Sequence, residues 1–148
     1  EKRLRPRGLH PVLPRRVGFV EHVVDARECE SPEDLVELVL SSSSTPPFTR
    51  RGRHQRQRLL DGSLIDNAPA FLAERAPGVK RNLVLLTRPY PEGVTGRQGD
   101  RLYLAPRTPL PIQRWDYREV APIDETLAAG RADADHYAAD VRRFLDDA

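Results

Sequence analysis

Apolar and polar positions change period several times along the chain. Val17, Phe19, Val20, Val23 and Val24 crowd the span 17–25, a short apolar run that predicts a strand. Leu35, Val36, Leu38, Val39 and Leu40 then form an apolar helix face broad enough to be largely buried. Ser31-Pro32-Glu33-Asp34 supplies the start of that helix. The serine can cap, the proline suits a first turn, and Asp34 stands at the capping-box position, where Glu or Gln is more usual. The serine run 41–44 ends the helix before Thr45-Pro46-Pro47. Residues 48–60 hold Arg51-Gly52-Arg53 between two short extended arms, which predicts a hairpin turning at Gly52.

Further on, Asn67 or Ala68 opens a helix with Pro69 in its first turn, Phe71 and Leu72 facing inward, and Pro77-Gly78 closing it. Residues 82–86 read as a buried parallel strand. Residues 89–100 read as a polar loop with three glycines, 101–105 as another strand, and 106–111 as a proline-rich link. From about Asp124 the chain turns helical, with a break or kink at Gly130. Tyr137, Val141, Phe144 and Leu145 form its apolar face. Residues 1–16, with Pro6, Pro11 and Pro14, are an irregular Arg/Pro-rich lead-in. Strand and helix signals alternate over 17–148, so the class is α/β. Four or five strands make a small two-sided sheet, and an incomplete sheet would expose an edge. The expectation is a portion of a domain, incomplete on its own.

The chain has 148 residues, 39% of them hydrophobic and 31% charged, as in an ordinary globular protein. Its apolar runs are too short for a membrane span, and the segment after Glu1 is not a signal peptide. Methionine is absent even from position 1. The sequence therefore reads as a segment of a longer or processed chain, with a cytoplasmic or peripheral-membrane location expected ahead of secretion. The net charge of +2 does not demand a nucleic-acid partner. Lys2 and Lys80 are the only lysines among 24 basic residues, a bias that points to a high-GC bacterial gene. The single Cys29 excludes an internal disulfide and lacks any Cys/His signature, so it reads as inert.

Asp61 carries the most informative chemistry. It ends an apolar run, Gly62 follows at once, and Asn67-Ala68-Pro69 restarts a helix. A carboxylate at a strand end can reach a site above a sheet, and a following glycine allows a tight turn of positive φ. Such a carboxylate could act as base towards a hydroxyl nucleophile. The simpler alternative is a strand-to-helix turn in which Asp61 hydrogen-bonds the backbone.

The ordered set Val39-Leu40-Ser41-Ser42-Ser43-Ser44-Thr45-Pro46-Pro47-Phe48, Gly52, Asp61-Gly62-Ser63 and Asn67-Ala68-Pro69 resembles the patatin-like phospholipase family. The resemblance covers roughly residues 31–146. It implies the C-terminal part of a sheet flanked by helices, with Asp61 as the aspartate of a Ser-Asp dyad supported by the Gly62-Ser63 turn. Ser63 stands where the family carries Gly or Ala. The family's serine lies in a Gly-x-Ser-x-Gly elbow behind a glycine-rich oxyanion loop, and neither occurs in these 148 residues. The implied activity is lipid acyl-ester hydrolysis through an acyl-enzyme, with no metal or cofactor. The implied partners are a lipid or acyl-ester substrate, a membrane surface and the missing N-terminal half. This fragment alone is expected to be inactive. A non-catalytic interaction module on the same scaffold is the alternative.

Other residues read differently. The serines at 41–44 lack the glycine flanks of an elbow and are expected to satisfy carbonyls or permit close packing. The basic run 50–58 reads first as a solvated hairpin and second as a site for anionic lipid headgroups. It has no interleaved aromatics for base stacking, so no nucleic-acid partner is assigned. His10, His22, His54 and His136 show no metal spacing, and the odd offset from His54 to Asp61 puts them on opposite strand faces. Asp133, Asp135, Asp140, Asp146 and Asp147 read as a solvated helix face. Trp115 and Tyr117 could pack on the surface or touch lipid.

Overall fold

The computed structural model describes residues 13–91, 93–112 and 118–147. Most of the Arg/Pro-rich lead-in, together with His10, Trp115 and Tyr117, lies outside them. Helices and small sheets are mixed, so the class is α/β. The chain divides into two compact units, one within Leu9–Asn67 and one within Ala68–Ala148.

The first unit opens with a single helical turn, α1 (Leu13–Arg16), and a 3-10 turn at Ala26–Glu28. The strand expected over 17–25 does not form. Valines favour extended backbone, but a strand also needs a partner for its backbone groups, and none of the described strands pairs with this span. α2 (Pro32–Ser42) starts as its sequence requires, with Ser31 Oγ accepting the Asp34 N–H at 3.1 Å and Pro32 in the first turn. The Asp34 carboxylate accepts from the Glu30 amide at 3.4 Å instead of closing a capping box on Ser31. The apolar face of α2 is not buried as expected: Val36 is 56% and Leu40 66% exposed. The helix meets the hairpin that follows it through Asp34 in its first turn and through the serines at its C-terminal end.

Those residues face a hairpin of β1 (Gly52–His54) and β2 (Gln57–Leu59), in which Gly52 pairs with Leu59 and Arg53 with Arg58. The hairpin is where it was expected, but its turn is not at Gly52. Gln55 and Arg56 make the turn, with φ of 46° and 67°. A two-residue type I′ turn needs two such left-handed residues, and each costs about 1–2 kcal/mol without glycine. Gly52 serves another purpose. A Cβ there would lie 2.6 Å from Ser41 Cα, so glycine lets the helix end and the strand touch.

The second unit holds α3 (Ala70–Ala73), β3 (Asn82–Leu85), β4 (Gly96–Gln98), β5 (Arg101–Leu104) and α4 (Val120–Asp146). The sheet order is β3-β5-β4, parallel between β3 and β5 and antiparallel between β5 and β4. β3 is parallel, as its sequence predicted, but only alternate positions are buried: Asn82, Val84 and Leu86 are inside, while Leu85 is exposed. β4 lies inside the expected loop. Its polar residues gave no apolar signal, and it forms through backbone pairing closed by a Gly99-Asp100 turn with Gly99 at φ 62°. Tyr103, Leu102, Val84, Val94 and Phe144 are buried in this unit. The Tyr137 hydroxyl donates to the Ala105 carbonyl at 3.1 Å, which fixes α4 to the end of β5. α4 runs unbroken through Gly130, against expectation. A Cβ at Gly130 would meet nothing, and a solvent-side glycine costs a helix only about 1 kcal/mol. Asp133 and Asp147 do more than face solvent: they accept from the Arg107 amide at 3.3 Å and the Arg97 guanidinium at 2.5 Å. Arg101 forms a two-pronged pair with Glu74 and holds that carboxyl below its ordinary value.

Candidate active site at Asp61

The chain leaves β2 at Leu59, and the Asp61 amide then donates to the Ser44 carbonyl at 2.8 Å. That bond ties the Asp-Gly motif to the end of the serine run. Asp61 caps a 3-10 turn at Gly62–Leu64, its Oδ1 accepting the Ser63 N–H at 2.7 Å. The carboxylate is half-buried. Ser63 N–H is its sole hydrogen-bond partner among the described residues, which leaves Oδ2 open. Two expectations need correction. Gly62 does not adopt positive φ, and a Cβ there would meet nothing within 4 Å; the Asp61 cap shapes the turn instead. Asp61 does follow a strand, but that strand belongs to the antiparallel hairpin and not to the parallel β3–β5 pair. The strand-end argument for parallel sheets therefore does not apply to it.

Behind Asp61 stands a serine scaffold. Ser41 Oγ accepts the Arg53 N–H at 3.0 Å and donates to the Arg53 carbonyl at 3.2 Å. Ser44 Oγ accepts the Gly52 N–H at 2.9 Å and donates to the Arg50 carbonyl at 2.7 Å. These are bonds that a neighbouring strand would supply, so two hydroxyls complete one edge of β1. Ser43 Oγ is within bonding distance of the Val39 and Leu40 carbonyls at the helix end. The serines thus have the packing and carbonyl roles expected of them. Ser41 and Ser44 are buried with both donor and acceptor used, which suits neither to attack.

One constellation escaped the sequence. His54 shares the inward face of β1 with Gly52, and its Nδ1 lies 3.5 Å from Asp34 Oδ1 on α2. His54 is 4% exposed, and its Nε2 has no hydrogen-bond partner among the described residues. Nearby, desolvation and then the negative charge of Asp34 raise the Cys29 thiol pKa above its ordinary value. The period-2 spacing of Gly52 and His54 was the available signal that both turn inward. Nothing local in the sequence named Asp34 as the partner.

No family model, curated protein or solved structure matches this chain.

Proposed function

We propose that this chain is the aspartate-bearing part of a patatin-like serine hydrolase of lipid acyl esters, in which Asp61 partners an elbow serine supplied by polypeptide outside these 148 residues. One observation carries the reading. The parts that follow the family's order along the sequence are bonded into one piece: Ser41 to Arg53, Ser44 to Gly52, and the Ser44 carbonyl to the Asp61 amide. A dyad carboxylate must be held to within a fraction of an ångström. Asp61 is fixed through its backbone by Ser44 and through Oδ1 by Ser63, while Oδ2 is left for an incoming hydroxyl.

In this reading Asp61 accepts the serine proton as the serine oxygen bonds to the ester carbonyl carbon. The tetrahedral intermediate collapses, and the leaving alkoxide takes the proton from Asp61. Water then adds to the acyl-enzyme, giving its proton to Asp61, and the carboxylic acid departs as the serine is reprotonated. Backbone amides of an oxyanion loop would hold the developing charge.

Asp61→Asn in the complete protein is expected to lower turnover of a p-nitrophenyl acyl ester by roughly 10²–10⁴-fold. Asn can still accept the Ser63 N–H, so the circular dichroism spectrum should not change. Near-normal turnover refutes the assignment. The 148-residue chain alone should not react with a fluorophosphonate probe, and labelling at any serine of 41–44 would overturn the structural role given to that run. A non-catalytic interaction module is the second reading, favoured by the exposed Val36, Val39 and Leu40 of α2. An upstream reading frame without Gly-x-Ser-x-Gly would select it.

A further inference from the structure

The stretch from Leu38 to Leu60 contains no acidic residue and five arginines, Arg50, Arg51, Arg53, Arg56 and Arg58. All five are exposed. None has an ion pair or a side-chain hydrogen bond among the described residues. Arg53 and Arg58 are direct cross-strand partners, so two guanidinium groups leave the same face of the hairpin with no counter-ion between them. Like charges placed opposite one another destabilise a hairpin, and the Gln55-Arg56 turn adds backbone strain. A segment that only had to be solvated would gain from replacing Arg53 or Arg58.

Apolar surface lies beside the charge. A groove of about 460 Å³ runs between α2 and β1, with Val36 and Leu40 on one wall and Arg50, Arg51 and Arg53 on the other. Glu33 and Glu37 also line the helix wall, against three arginines in the groove. Arg56 and Arg58 extend the positive charge beyond it. Phe48 precedes the arginines and is 90% exposed.

We propose that the Arg50–Arg58 hairpin, with Phe48, Val36 and Leu40, docks on a membrane surface containing anionic phospholipid. Guanidinium groups would engage headgroup phosphates while Phe48 and the aliphatic side chains enter the acyl boundary. Nucleic acid fits less well. The hairpin has no exposed aromatic side chain between its arginines for base stacking, His54 being buried, whereas aliphatic side chains flank the charge. The surface is independent of the role assigned to Asp61, because a non-catalytic chain with this hairpin would bind the same membrane.

Flotation of the 148-residue chain with vesicles tests the proposal. Vesicles of equal parts phosphatidylcholine and phosphatidylserine should bind it, pure phosphatidylcholine vesicles should bind much less, and added salt should weaken the interaction. The double variant Arg53→Gln, Arg58→Gln should lose about 10- to 30-fold in partitioning, since each basic residue contributes a few-fold at an anionic surface. Phe48→Ala should lose a few-fold with little change in salt dependence, and Glu33→Gln with Glu37→Gln should gain. Asp61→Asn should leave vesicle binding intact, which separates this proposal from the hydrolase assignment. Equal binding to both vesicle types, or binding to neither, overturns it. So does salt-sensitive capture of a labelled single-stranded oligonucleotide without vesicle binding, which would assign the hairpin to nucleic acid.

Discussion

The two units are held together by opposite means. The unit within Ala68–Ala148 buries apolar side chains: Tyr103 is fully enclosed, and Val84, Leu102 and Phe144 are buried as well. The unit within Leu9–Asn67 buries Ile65 but otherwise mostly polar groups, namely two serines, a glycine, a histidine and Asp66, and leaves much of its aliphatic surface outside. Ser41 and Ser44 are nearly as inaccessible as Tyr103, while Val36, Val39 and Leu40 face outward. Apolar burial is tolerant of small shifts, whereas hydrogen bonds have narrow geometry. A unit fastened by hydroxyl-to-backbone bonds is therefore suited to fixing a carboxylate such as Asp61. The cost is exposed apolar surface on α2.

The largest effect should fall on the apolar core. Phe144→Ala is expected to destabilise the second unit by about 3–5 kcal/mol. Hydrogen exchange should then quicken in β5 while the amides of Gly52 and Arg53 keep their protection. Equal losses in both units would break the distinction between them.

Gly52→Ala comes next, at about 3 kcal/mol, because the new methyl would press on Ser41 backbone and not on a flexible side chain. Denaturant unfolding of the variant checks this, and a neutral outcome would show that α2 and β1 need not touch so closely. Ser44→Ala should cost about 1–3 kcal/mol by leaving the Gly52 amide unpaired and the Arg50 carbonyl with only the longer bond from the Thr49 hydroxyl at 3.3 Å. Ser44→Thr, which keeps the hydroxyl, should recover part of that loss.

The smallest expected effect is electrostatic. Arg101 keeps the folded-state pKa of Glu74 below its ordinary value of 4.5. The pair's contribution is then complete above pH 4.5 and is lost as pH falls through the lower folded value. Glu74 is partly exposed, so the contribution is at most about 1 kcal/mol. Thermal unfolding of Glu74→Gln between neutral pH and pH 3 should show a shallower acid slope than the parent chain. An unchanged slope would remove the pair from the account of the second unit.

Local chemistry was legible wherever it acted over one or two turns of chain. The Ser31 cap, the Pro32 helix start, the end of α2 in the serine run, the hairpin's presence, and the β3 and β5 segments could all be read from neighbouring residues. The Asp61 cap on Ser63 was foreseen as the simpler role for that aspartate. Partners distant in sequence were not legible. Gly52 looked like a turn because glycine signals both bends and close approach, and only the position of Ser41 separates the two. The run at 17–25 carried strand residues without a strand beside it, and β4 formed from polar residues because β5 offered a backbone edge.

The sequence by itself therefore determined the caps, the helix start, the β3 and β5 segments, the acid-free run of five arginines and the order of parts around Asp61. Tertiary structure alone decided which serine bonds which strand, that His54 meets Asp34, that α2 shows its apolar face, and that the Asp61 amide is held by Ser44. The physical reason is range. Capping and periodicity act between residues a few positions apart, whereas close approach, burial and hydroxyl-to-strand bonding depend on where distant backbone comes to rest.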